Sequence, residues 1–457
     1  MSSDRPTALV RLALASLVFA LLSAGLLAGA RWLADGSVIR IGAVFPITSN
    51  AASLAGPELA GVQIAADLVN ADGGVDGKRI ELVVRDLRSR GDADTVMADL
   101  KRSGVQIVVG AYSSDFSIAA SQAAASAGLL YWEAGAVADQ LTGQGLPMVF
   151  RVGASGANLG RNSADFAASE LAARLGKQVS DLRVAIAVAD DAYANSVADA
   201  AAATATQRGM PVVIRRSYNL SVPDFPAVMT DLEAARPDVI ILASHIPDGI
   251  AFRQAMVRSG LKVGALIGST MAECDPDFAG ELGAAAIGIF ASDRPTSGFQ
   301  SSALDADAAA TYARFAPAWA AVAPRYAGSD SAAGGGRYGG ESEEYTIHGP
   351  DEDATAEQNE EALAGFSAAW ALFHHVLPAT KGAFDAESVA AAARDVNLPE
   401  GSLPNGAGLR FSSDPARLGQ NELAAAVIWQ WQAVRSYEFV WPPTYATGSI
   451  AFVPLDR

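Results

Sequence analysis

From Val38 onward, short apolar runs alternate with longer amphipathic stretches, the pattern of βαβ units wound around parallel sheets. The first strand reads Ile39 to Phe45, followed by a loop from Pro46 to Gly56. A helix is then signalled by Pro57 near its start and by Leu59, Val62, Ala66 and Val69 on one face, ending at Asn70-Ala71-Asp72-Gly73-Gly74. Further strands are expected at Ile80–Arg85, Val105–Val109 and Leu129–Trp132, with helices at Asp92–Ser103 and Phe116–Ser126 between them.

A second set begins after Phe150-Arg151, with a helix near Asn158–Leu175 and strands at Val184–Val188, Val212–Tyr218, Val239–Ala243 and Val263–Gly268. Helical patterns return at Asn359–Val376 and Asp385–Asp395, and the tail is strand-like at Leu409–Phe411, Ala425–Trp431 and Tyr437–Trp441. At 457 residues the chain is long enough for two lobes, each with its own core. Between Tyr326 and Glu357 the composition turns to glycines and acids that bury no apolar surface, so this stretch reads as a mobile surface loop.

The net charge of −17, with Lys and Arg spread singly, argues against a nucleic-acid partner, which needs a basic face to displace counterions. Arg5 and Arg11 precede an uncharged run from Leu12 to Ala30 that ends in Ala28-Gly29-Ala30, the layout of an export signal. Cleavage after Ala30 is the first reading. A retained membrane anchor over residues 12–30 is the second, since the run is just long enough to span a bilayer. The single cysteine, Cys274, allows neither an intrachain disulfide nor a lipid anchor next to the apolar run.

Enzymatic readings find little footing. His245, His348, His374 and His375 show no metal-ligand spacing, so neither a metal nor any other cofactor is expected. Serine-hydrolase elbows, phosphate loops and dinucleotide fingerprints are absent from the sequence. Cys274 lies among Glu273, Asp275 and Asp277, whose charges raise a thiol pKa rather than lower it.

The segments Ile41–Pro46, Asn70–Asp86, Val109–Ser114, Val149–Arg151, Asp190–Tyr193 and Gly408–Phe411, taken in order, resemble the branched-chain amino-acid binding family of type I periplasmic binding proteins. The resemblance implies two doubly wound parallel-sheet lobes joined by three crossings, near Arg151–Ser155, Ser292–Pro295 and Gly408–Ser412. Lobe 1 is then expected to comprise residues 38–152 plus 293–408, including the loop 327–357, and lobe 2 residues 153–292 plus 409–457. It also implies a receptor that closes on a small polar ligand (an amino acid, amide or urea-like molecule) and delivers it to the membrane permease of an ABC transporter. A membrane-anchored sensor with the same fold is the alternative; an exported hydrolase is kept as a third because fold alone never fixes function.

Ligands of open α/β sheets bind at the carboxyl ends of strands, and two such edges facing each other make a cleft. Ser113 and Ser114 stand at a helix start after a strand, where hydroxyls and amides welcome an anion, although either serine also suits a helix cap. By resemblance Ser114 holds the ligand carboxylate, Gly135 and Val137 take the places of an Ala and a hydroxylated residue, and Tyr193 lies beside the ligand. Val137 departs from the family in having no hydroxyl. Glu133 offers a strand-end carboxylate to a ligand ammonium or amide, its alternative being a solvated or Arg-paired acid. His245 and Thr270 are expected at strand ends facing the cleft; by resemblance Thr270 stands where amino-acid binders often carry the acid that pairs with the ammonium, and Glu273 is the substitute for that role, its more ordinary alternative being a helix-start acid.

Overall fold

The computed structural model describes residues 37–325 and 359–455 apart from Asn50, Thr270, Asp275 and Arg435; the N-terminal segment 1–30, the loop 327–357 and Thr270 lie outside the described residues. Two sheets carry the fold. The first contains β1 (Val38–Phe45), β2 (Arg79–Asp86), β3 (Ile107–Gly110), β4 (Leu130–Glu133) and β5 (Val149–Arg151), in the order β2-β1-β3-β4-β5. All its pairings are parallel. The second contains β6 (Val184–Ala189), β7 (Val212–Tyr218), β8 (Val239–Ala243), β9 (Ala265–Ser269), β10 (Phe290–Asp293), β11 (Val427–Ala433) and β12 (Ser436–Trp441). Its order is β12-β11-β10-β9-β8-β6-β7, parallel except that β11 and β12 join antiparallel at one edge.

The strand sequences explain this layout. Val184–Ala189 and Val239–Ala243 are unbroken apolar runs buried on both faces, as a central parallel strand requires. Edge strand β7 alternates burial instead, with Arg215 exposed and Ser217 exposed. The chain passes between the sheets three times: after β5, after β10 and before β11.

Four elements differ from expectation. The first helix begins at Ala52, so Pro57 lies inside it; the extra turn is retained because Ala51 and Ala55 are buried there. β5 and β10 are short strands whose polar neighbours hid them: Val149–Arg151 runs into the first crossing, and Phe290–Asp293 ends in the segment read as the second. Leu409–Phe411 makes only isolated bridges to Leu398 and Asn421.

The helix from Glu360 to Ala379 is long and apolar enough to cross a membrane, yet it packs as a core helix, with Leu363, Phe366, Leu372 and Phe373 fully buried. It crosses the Ala52–Ala71 helix at glycines. A Cβ on Gly365 would stand 2.0 Å from the Glu58 carbonyl oxygen, and one on Gly61 would stand 2.1 Å from that of Ala362.

Candidate functional site

Strand order reverses between β1 and β3 in the first sheet and between β6 and β8 in the second, so each sheet has a crevice at its carboxyl edge. Ser113 and Ser114 follow β3, Tyr193 follows β6 and His245 follows β8. The fold therefore puts all four at switch points.

Ser113 occupies the cap position of the Ser114–Ser126 helix in extended conformation, but its side chain makes no capping bond. Ser114 is the first helical residue, and its Oγ accepts from the Ala138 amide at 3.0 Å. That contact uses an oxygen lone pair and leaves the hydroxyl proton to donate. First-turn amides of a helix have no intrahelical acceptor, so they add donors beside it.

The loop after β4 is pinned almost atom by atom. Glu133 is fully buried; its Oε1 accepts from the amides of Gly135 at 2.9 Å and Ala136 at 2.8 Å, and its Oε2 accepts from the Tyr131 hydroxyl at 3.0 Å. Burial raises its carboxyl above the ordinary range, with the Ala136 amide foremost among the bonds drawing it back. Arg294 Nη1 donates to the Gly135 carbonyl at 2.8 Å. Arg151 Nη1 donates to the carbonyls of Ala136 at 3.1 Å and Ala138 at 2.7 Å. The Val137 carbonyl accepts from the Gly156 amide at 2.8 Å. Across Gly135–Ala138, the Val137 N–H is the one backbone group without a hydrogen-bond partner among the described residues.

Two expectations are corrected by this geometry. Glu133 does not reach out to a ligand ammonium, nor is it a surface acid: both oxygens brace the loop. Gly135 likewise has its amide and carbonyl engaged within the protein, and its lack of a side chain makes room for Glu58, since a Cβ there would lie 1.9 Å from Glu58 Oε2. Val137 offers this corner a backbone N–H rather than a hydroxyl.

On the second lobe the Tyr193 hydroxyl donates to the Ser244 carbonyl at 3.2 Å, and its ring lies 5.0 Å from that of His245. His245 Nε2 stands 2.9 Å from Asp191 Oδ2, while its backbone N–H donates to Asp248 Oδ1 at 3.0 Å. Burial pulls the imidazole pKa down, but the Asp191 bond and the Asp248 charge outweigh it and leave the value raised. Tyr218 donates to the other oxygen of Asp248. This wall sets the His245 imidazole between two acids, Asp191 and Asp248.

Sequence reading missed three buried charges. Arg151 and Arg294 looked like ordinary crossing residues. Glu58 is fully buried on the Ala52–Ala71 helix, with no hydrogen-bond partner for either oxygen among the described residues. Burial, then Glu133, push its carboxyl well up, against a smaller pull from Arg294. Glu273 is also fully buried, with both oxygens unpartnered among the described residues, packed over Gly268 at the end of β9. Cys274 behaves as expected in direction, but burial is the first cause of its raised pKa and Asp293, to which Sγ donates at 3.0 Å, the second. Its ligand atom lies within 4.8 Å of those of Asp293 and Glu360, yet Arg294 already supplies the positive charge of that cluster through Glu360.

The state of Glu58 has a measurable consequence. Folded Glu58 holds its proton more tightly than the unfolded chain does, so stability falls as pH rises above the ordinary carboxylate range. Glu58→Gln is expected to melt above the parent at about pH 7.5, with the gap closing toward about pH 4.5. A parent more stable than the variant at the higher pH would contradict a raised Glu58 carboxyl.

A family model described as periplasmic binding protein matches residues 38–337. The chain belongs to that family. Among relatives of this periplasmic binding protein is the Leu/Ile/Val-binding protein homolog 8 of Brucella abortus, 28% identical over 399 residues that cover 86% of this chain and 88% of the relative. The fold is shared with the branched-chain amino acid transporter substrate binding protein LivJ of Streptococcus pneumoniae, solved with isoleucine (TM-score 0.63, 21% identity, 89% of this chain and 100% of that one). It is shared too with a solute binding protein of an ABC transporter from R. palustris, solved with 4-hydroxybenzoate (TM-score 0.60, 18% identity, 91% and 95%). The resemblance to the branched-chain amino-acid binding family thus holds. Members are substrate-binding proteins rather than enzymes, and they work outside the cytoplasm.

Proposed function

We propose that this periplasmic binding protein is the receptor of an ABC importer and that its ligand is a small polar molecule bearing a carboxylate, with an amino acid first among the candidates. The observation that carries the reading is the convergence of unspent donors at one point. Among the described residues the Val137 N–H lacks a partner; the neighbouring Ala138 N–H is bound to Ser114 Oγ, and the Ser114 hydroxyl and first-turn amides share that corner. Donors without an acceptor, gathered at a helix start, call for an anion. The isoleucine and 4-hydroxybenzoate of the two similar structures are both carboxylic acids. A neutral amide or urea would leave its own N–H groups facing these donors and is less suited. On the opposite wall, Tyr193, His245 and Glu273 would receive the rest of the ligand, with Glu273 the carboxylate available to an ammonium. Residues 12–30 would direct export, with lobes and crossings divided as the sequence resemblance implies.

Thermal-shift and calorimetric screening of purified protein against amino acids, benzoates, urea and short amides tests the reading. At least one carboxylate should bind and raise the melting temperature. Binding confined to amides or urea, or silence across all classes, would overturn it. Mass of the mature N-terminus separates receptor from anchored sensor: a start near Arg31 fits the first, an intact segment 12–30 held in membranes the second.

A further inference from the structure

Each of the three crossings reaches the loop after β4, and two arginines make the connection. Arg151 ends β5 at the first crossing and is fully buried. Its backbone N–H donates to the Gly419 carbonyl and its carbonyl accepts from Asn421 N–H, both at 2.9 Å, while its Nε donates to Gln420 Oε1 at 2.5 Å. First and third passages are thereby stitched together at one residue. The same guanidinium grips the Ala136 and Ala138 carbonyls. Arg294 follows β10 at the second crossing; its backbone N–H donates to Asp293 Oδ1 at 2.7 Å, its Nε to Glu360 Oε1 at 2.7 Å and its Nη1 to Gly135. Carbonyls of one loop are thus held from the first and second passages, and the third braces the arginine of the first.

We propose that Arg151 and Arg294 are positioning residues that couple lobe closure to the ligand loop, so that bending of the crossings and the aim of the Val137 N–H change together. The chemistry suits the task. A planar guanidinium presents several donors at fixed angles, so its bonds to loop and crossing cannot be adjusted separately, whereas an ammonium has neither the reach nor the fixed fork. The far side of the loop supplies the mechanical link to the second sheet: Asp139 N–H donates to Ser196 Oγ at 3.0 Å, and Asp139 Oδ1 accepts from Ala157 N–H at 3.1 Å. A cavity of about 240 Å³ beside Arg151, bordered by Asp139, Thr142, Asn158, Gln420 and Asn421, gives this junction room to move. Hinge closure is a general mode of two-lobed binding proteins; what these residues add is a defined transmission element.

The proposal takes from the functional reading only that this loop lines the cleft, and its test uses no ligand. Hydrogen exchange and small-angle X-ray scattering are measured on the unliganded full chain carrying Arg294→Lys or Arg151→Lys. In either variant, exchange of the peptide 134–139 should quicken about tenfold or more while β3 and β6 exchange as in the parent. The radius of gyration should shift in the same samples. Should the lysine variants fail to fold, Glu360→Ala, which removes the anchor of Arg294 but leaves the arginine, is expected to give the same loosening to a smaller extent. A folded variant with parental exchange in 134–139, or with loosening spread evenly over the first sheet, would overturn the coupling. Loosening of the loop with unchanged scattering would also overturn it, leaving the arginines as local braces.

Discussion

Gly365→Val is expected to separate the two longest core helices and to lower stability by about 3 kcal/mol or more, the upper range for overpacking of a tight contact. The reason is backbone contact: the Cβ alone would stand 2.0 Å from the Glu58 carbonyl oxygen, an atom that no side-chain rotation can move. For a lobe of this size the melting temperature should drop by roughly 6–12 °C, if the protein folds at all. Gly91→Ala serves as the control, because a Cβ there meets only Ser89 Oγ at 3.6 Å and should leave the melt unchanged. Calorimetry of both variants decides. A Gly365→Val protein that melts with the parent would mean that the helices do not pack as closely as described.

Ser114→Ala carries the second large effect, and it falls on binding. Losing a hydrogen bond to a charged ligand is worth about 1.5–3 kcal/mol, so the dissociation constant for the bound carboxylate should rise roughly ten- to a hundredfold. Some stability should go as well, because the Ala138 N–H loses its acceptor, at about 1 kcal/mol. Calorimetric titration and a thermal melt on the same preparation separate the two losses. A lower melting point with unaltered affinity would sink the assignment of Ser114 to the ligand.

How much of this was legible in the sequence follows from what each residue depends on. The strands Val184–Ala189 and Val239–Ala243 announce themselves because a strand buried on both faces is apolar throughout, a local property. Ser114, Tyr193 and His245 could be placed because position after a strand in a doubly wound sheet already puts a residue at the carboxyl edge. Glu133 and Gly135 were misread because their partners are remote: Gly135 meets Arg294 across 159 residues of sequence. Glu58, Glu273 and Arg151 have the same difficulty, since a charge in a sequence normally means a solvated side chain and only the folded neighbourhood shows it buried. Val137 departs from the family in having no hydroxyl, and the proposed reading rests instead on its N–H, which every residue except proline carries.

The central claim is that this corner of the cleft binds a carboxylate. The most direct test is a calorimetric comparison of acids with their matching primary amides, leucine against leucinamide and benzoate against benzamide, extended to the acid found by screening. Removing the anionic charge while keeping the shape should cost about a hundredfold in affinity or more for whichever acid binds. An amide that binds as tightly as its acid would contradict the claim.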